Sequence, residues 1–96
     1  MLIVTVDFEV SATHRAVAIA TLQDEGAVVR DLQGNMGFGV WADPAHDGKL
    51  RLTHEWSDME SFDAYKATPA FKEVGAKLFP MMVAKPSTVV HQVVPQ

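Results

Sequence analysis

Leu2, Val4, Val6, Phe8 and Val10 alternate with Ile3, Thr5, Asp7, Glu9 and Ser11, and a period of two belongs to a strand with one strongly apolar face. From Thr13, the expected N-cap, the pattern changes. Ala16, Ile19, Ala20, Leu22, Gly26 and Val29 fall within about half the circumference of a helix, which continues to about Asp31. Gly26 costs that helix roughly 1 kcal/mol relative to alanine, so it marks either the helix end or a place where packing requires no side chain. Gly34-Asn35 reads as a turn releasing a strand from Met36 to Ala42, with Asp43-Pro44 and Asp47-Gly48 in the loop beyond. Lys49 to Trp56 alternates again. Leu50, Leu52, His54 and Trp56 share one face and Lys49, Arg51, Thr53 and Glu55 the other, so these two strands form a hairpin.

Ser57-Asp58-Met59-Glu60 has the pattern of a capping box, the Ser57 hydroxyl taking the Glu60 N–H while the Glu60 carboxylate reaches back. Met59, Phe62 and Tyr65 or Lys66 follow at helical spacing, and Thr68-Pro69 supplies a second start signal, so the second helix is kinked or restarted. Phe71, Val74, Gly75 and Leu78 stripe its second half, Pro80 and Pro86 bracket a loop, and Thr88 to Val94 is the last strand. The order β-α-β-β-α-β predicts an α+β, ferredoxin-like domain over 1–96: a four-stranded antiparallel sheet with both helices on one face. The other face of the sheet is left bare. Strands apolar at many positions on both faces require cover, and pairing of two copies through their sheets supplies it.

Composition narrows the function classes. Cysteine is absent from the 96 residues, which excludes disulfides and Cys-ligated metals and fits a reducing, cytoplasmic setting. A net charge of −4 offers no basic stripe, so neither nucleic acid nor an anionic membrane surface is an expected partner. Met1 to Val10 is apolar but interrupted by Asp7 and Glu9, which fits neither a signal peptide nor a membrane span. The four histidines, His14, His46, His54 and His91, lack a short ligand spacing, so no metal is expected. Gly37-Phe38-Gly39 lies inside a strand and is no phosphate loop.

The run from Gly34 to Pro44 and the run Leu50-Arg51-Leu52-Thr53-His54-Glu55-Trp56 continued through Phe71 resemble the second strand, third strand and helix opening of the antibiotic biosynthesis monooxygenase family. That family of dimeric α/β-barrel proteins includes quinol monooxygenases and, more distantly, haem-degrading monooxygenases. The resemblance covers nearly the full chain and implies the fold more strongly than the reaction. Two departures stand out. His54 occupies a place where members commonly carry glutamate, and Tyr65 one where they commonly carry histidine. At the positions matching the asparagine, tryptophan and iron-ligating histidine of the haem-degrading relatives stand Asp7, Tyr65 and Gly75. Glycine cannot ligate iron, so haem degradation by that route is disfavoured.

Of the residues that could carry chemistry, His54 on the apolar face of its strand is the expected general base, a half-buried imidazole titrating near neutrality. The bland alternative is a core histidine bonded to Tyr65 or to a backbone carbonyl. Tyr65 is the expected positioning donor. Trp56, Phe62, Phe38 and Trp41 could wall a flat aromatic substrate, though core packing explains them equally well. Asp7 could bind substrate or fix the His54 tautomer if the strands are neighbours, and an exposed position is its other reading. The resemblance implies a cofactor-independent monooxygenase that oxidises a small phenolic or hydroquinone-like aromatic with dioxygen. The alternatives are a non-catalytic dimeric module for small ligands or assembly, and an isomerase or lyase using the same base without oxygen.

Overall fold

The computed structural model describes residues 1–94. Its elements are β1 (Leu2–Glu9), α1 (Arg15–Val29), β2 (Asn35–Ala42), β3 (Lys49–Trp56), α2 (Met59–Lys66), α3 (Pro69–Leu78) and β4 (Ser87–Gln92), with 3-10 turns at Ala12–His14 and Phe79–Met81. The sheet order is β2-β3-β1-β4, every pair antiparallel. This is the ferredoxin-like arrangement. It arises because β1 is the most apolar strand and takes a central place, pairing Val4 with His54 on one side and with Val90 on the other. No described helix is long and apolar enough to cross a membrane.

Helix starts depart from expectation at two points. Thr13 does not cap α1. The Ser11 hydroxyl instead bonds Thr13 Oγ1 at 3.2 Å and His14 Nδ1 at 2.6 Å, holding a 3-10 turn from which α1 leaves at Arg15. Nor does Ser57 cap α2, because its N–H is already spent on the Gly34 carbonyl at 2.8 Å. Asp58 takes the role, its carboxylate accepting the Ser61 N–H at 2.8 Å. The restart at Thr68-Pro69 does occur: the Thr68 hydroxyl accepts from the Phe71 N–H at 3.3 Å, dividing the second helix into α2 and α3. The last strand ends at Gln92, and Val93 only adds a bond from its N–H to the Met1 carbonyl.

The buried stripe of α1 is Ala18, Leu22, Glu25, Gly26 and Val29, so the helix is rotated from the face expected through Ala16 and Ala20, both exposed. Gly26 is the place where packing excludes a side chain: a Cβ there would lie 2.7 Å from Cδ1 of Phe38 on β2. Gly34 adopts φ +84° in the turn before β2, a conformation that favours glycine.

Between sheet and helices the core has two halves. Leu2, Val4, Val29, Phe38, Trp56, Phe62 and Tyr65 form one; Phe8, Val10, Ala18, Leu22, Leu50 and Leu78 form the other. The opposite face of the sheet is less apolar than expected. The odd-numbered residues of β1 and β3 place Thr5, Asp7, Arg51 and Thr53 there, and Arg51 holds Asp7 through bonds of 2.7 and 3.0 Å. Trp41 also lies on this face, 59 % exposed, its indole N–H donating to Thr53 Oγ1 at 2.9 Å.

Candidate active site

The strand alternation of β3 sends His54 and Trp56 inward, where α2 adds Phe62 and Tyr65 one turn apart and β2 adds Phe38 opposite His54. The imidazole is only 4 % exposed. Four rings surround it, with centroids at 6.1 Å for Phe38, 5.9 Å for Trp56, 5.5 Å for Phe62 and 5.9 Å for Tyr65. Trp56 and Tyr65 stack on each other at 5.3 Å, and Phe71 of α3 meets Tyr65 edge-on at 5.2 Å. Five of the seven residues singled out in the sequence, His54, Tyr65, Trp56, Phe62 and Phe38, thus meet in one cage.

Asp7 is the exception, and Trp41 departs with it. Both project from the far face of the sheet, Asp7 opposite Arg51 and not His54, whose cross-strand neighbour on β1 is Val4. Asp7 therefore neither fixes the His54 tautomer nor reaches a ligand in the cage. The guanidinium of Arg51 holds its carboxyl below the usual carboxylate range.

His54 also differs from the base expected of it. Its Nδ1 accepts the indole N–H of Trp56 at 2.6 Å, so the neutral ring carries its proton on Nε2. Burial among apolar rings disfavours the charged imidazolium and pushes the pKa down to about 4. At neutral pH the residue is an N–H donor whose other nitrogen is occupied.

A second polar pair, missed in the sequence, lies behind Tyr65. The phenol donates to Oε1 of Glu25 on α1 at 3.2 Å. Burial raises the Glu25 pKa, a rise that the bond from Tyr65 opposes, while burial and the neighbouring carboxylate raise that of Tyr65. The sequence did contain a signal. Glu25 stands three residues after Leu22 and four before Val29, on the helix stripe that faces the core. A carboxylate at such a position needs a buried partner.

Two surface cavities accompany the cage. One of about 570 Å³ lies on the far face of the sheet beside Asp7, Arg51 and Trp41. A smaller cleft of about 220 Å³ between α1 and α3 is lined by Glu25, Glu73, Val74 and Lys77, among others. Neither is lined by His54 or Trp56.

Comparison with known proteins agrees with this architecture. A structure described as an antibiotic biosynthesis monooxygenase superposes with a TM-score of 0.90 at 17% identity, over 99% of this chain and 100% of that one. A candidate antibiotic biosynthesis monooxygenase from Deinococcus radiodurans superposes with a TM-score of 0.92 at 18% identity, over 100% and 95%. A variant of SnoaB, a cofactor-independent oxygenase from Streptomyces nogalater, gives 0.84 at 13% identity, over 99% and 94%. Identities this low speak for the fold. No match was found among curated proteins. The sequence itself matches the profile of the antibiotic biosynthesis monooxygenase family over residues 1–77, a span that takes in every residue of the cage, and the chain belongs to that family.

Proposed function

We propose that this protein is a monooxygenase that uses no bound cofactor and oxidises a small phenolic or hydroquinone-like aromatic at the cage around His54. The observation that carries the reading is a buried cage of aromatic rings around a fixed N–H donor, His54 Nε2, with Tyr65 in its wall. Family membership and the fold shared with a cofactor-independent oxygenase support it. An electron-rich phenolate can itself reduce dioxygen, so the protein need only stabilise the phenolate, hold the radical pair and protonate the peroxide. Overall a phenol and dioxygen give a quinone and water. One oxygen atom becomes the new carbonyl, the other leaves as water, and all four electrons come from the substrate.

In this scheme His54 acts as a donor to the phenolate oxygen, Tyr65 orients the ring, and Trp56, Phe62 and Phe38 form the wall. A flat ligand enters by displacing a ring, and the break between α2 and α3 at Ala67–Thr68 gives Phe62 and Phe71 separate helices on which to part. The experiment is oxygen uptake by metal-free, flavin-free protein with a panel of hydroquinones and anthrone-like phenols, with His54→Ala as control. Uptake that the variant loses supports the reading; uptake equal to the no-protein rate throughout rejects it. The occupied Nδ1 of His54 favours one second reading, a non-catalytic module for a small apolar ligand. That reading requires a ligand retained through purification and no consumption of oxygen.

A further inference from the structure

Tyr65 ties the cage to a buried carboxylate on α1, Glu25. The Tyr65 ring packs into the cage wall, stacked on Trp56 at 5.3 Å and edge-on to His54 at 5.9 Å, while its hydroxyl donates to Glu25 Oε1 at 3.2 Å. Glu25 in turn lines the cleft between α1 and α3. A continuous polar path therefore runs from the cage wall through a phenol and a carboxylate to the outside.

We propose that Glu25 is the positioning residue of this site: it fixes the Tyr65 hydroxyl and takes up, through it, the proton that the substrate releases, passing it to solvent at the α1–α3 cleft. The inference rests on the oxygenase reading. In the step itself the substrate O–H bond breaks, the Tyr65 oxygen accepts that proton as its own O–H proton moves to the Glu25 carboxylate, and the phenolate is left beside His54 Nε2–H. No electrons move. Tyr65 ends as it began, and protonated Glu25 then returns its proton to water.

The surroundings of Glu25 suit that task. From α3, Glu73 pushes its pKa up and Lys77 pulls it down; from α2, Tyr65 donates to it. On its own helix Asp24 lines the same cleft, whereas Arg30 is turned away, bonded to the Phe38 carbonyl at 2.8 Å. Burial leaves a carboxylate so placed more basic than one in water, as a proton acceptor should be.

Tyr65 is the only tyrosine in the chain, so a single carbon-13 label at its Cζ reports on the pair whether or not a substrate is known. In the wild type that resonance should move with pH at a midpoint above the ordinary glutamate value, following Glu25. In Glu25→Gln, which keeps side-chain size and a hydrogen-bonding oxygen, the movement should vanish while circular dichroism stays unchanged. On a substrate found by oxygen uptake, Glu25→Gln should lower kcat at least tenfold, leave KM within about threefold, and lose the acid limb of the kcat–pH profile. A tyrosine resonance that titrates equally in both proteins overturns the proposal. So does one that is flat in the wild type, or a kcat–pH profile the substitution leaves unchanged. If no substrate is oxidised, the oxygenase reading fails on its own, and the tyrosine resonance still decides whether Glu25 governs Tyr65.

Discussion

Trp56 and His54, two residues apart on β3, are locked to each other by an indole N–H that donates to Nδ1 at 2.6 Å. Side chains two apart on a strand share a face, so the backbone alone sets this contact. It makes the Nε2–H tautomer the stable one. Nitrogen-15 NMR of the ring should show Nδ1 as an acceptor and Nε2 as protonated at neutral pH. In Trp56→Phe the donor to Nδ1 is gone, and the midpoint of His54 should rise from about 4. A midpoint unmoved by that substitution refutes the lock.

The same burial makes stability depend on pH. Below the ordinary histidine value of 6.5 the unfolded chain takes up a proton that folded His54 refuses until about 4. Stability from this residue is full above the first value and is lost as pH falls toward the second. The loss is of the order of 3 kcal/mol. Glu25, with its raised pKa, works in the opposite direction as pH falls. Comparison with His54→Gln in urea titrations isolates the histidine: the wild type should lose stability relative to the variant across that window. Parallel pH profiles would falsify the assignment.

The Asp7–Arg51 pair, for all its good geometry, should matter little to stability. Its partners are about half exposed, and solvent screens most of the attraction in such a surface pair. Asp7→Asn should lower the thermal midpoint slightly at low salt and hardly at all at high salt. It should leave the Tyr65 and His54 resonances in place, because Asp7 lies across the sheet from both.

Gly26→Ala tests the approach of α1 to β2. A methyl 2.7 Å from Phe38 Cδ1 overpacks the core at about 1–3 kcal/mol, against the ~1 kcal/mol that alanine gains in a helix. A net loss on the order of 1 kcal/mol in urea unfolding is expected. A more stable variant would show that Phe38 moves aside freely.

For the open face of the sheet the expectation is contact between two copies. Trp41, Arg51 and Val89 are among its exposed residues, and the indole, tied to Thr53, presents a fixed surface. Sedimentation should find a dimer for the wild type and a monomer for Trp41→Glu, with the fold intact by circular dichroism. A wild type that sediments as a monomer contradicts this.

Much of the fold was legible because period and punctuation agreed. Strict alternation in Leu2–Val10 and Lys49–Trp56 placed the central strands, and Thr68-Pro69 marked the helix break. The caps at Thr13 and Ser57 failed because each side chain or N–H had a nearer partner elsewhere, which local motifs do not encode. At the site, alternation correctly put His54 and Trp56 on one face, but protonation depends on what surrounds a side chain in three dimensions. Glu25 was overlooked for a related reason. A glutamate is ordinarily an outward residue, and only the position of Tyr65, forty residues later, makes an inward one tenable.

The chain contains two tryptophans, and the sheet separates them, Trp56 fully buried beside His54 and Trp41 open on the other side. The molecule thereby carries two independent fluorophores, one for each surface of one sheet. With Trp41 replaced by phenylalanine, the remaining emission belongs to the cage, where a charged imidazole quenches indole and an aromatic ligand perturbs it. With Trp56 replaced instead, the emission reports what settles on the far face. Binding in the interior and pairing of copies can be followed as two optical signals, without attaching any dye.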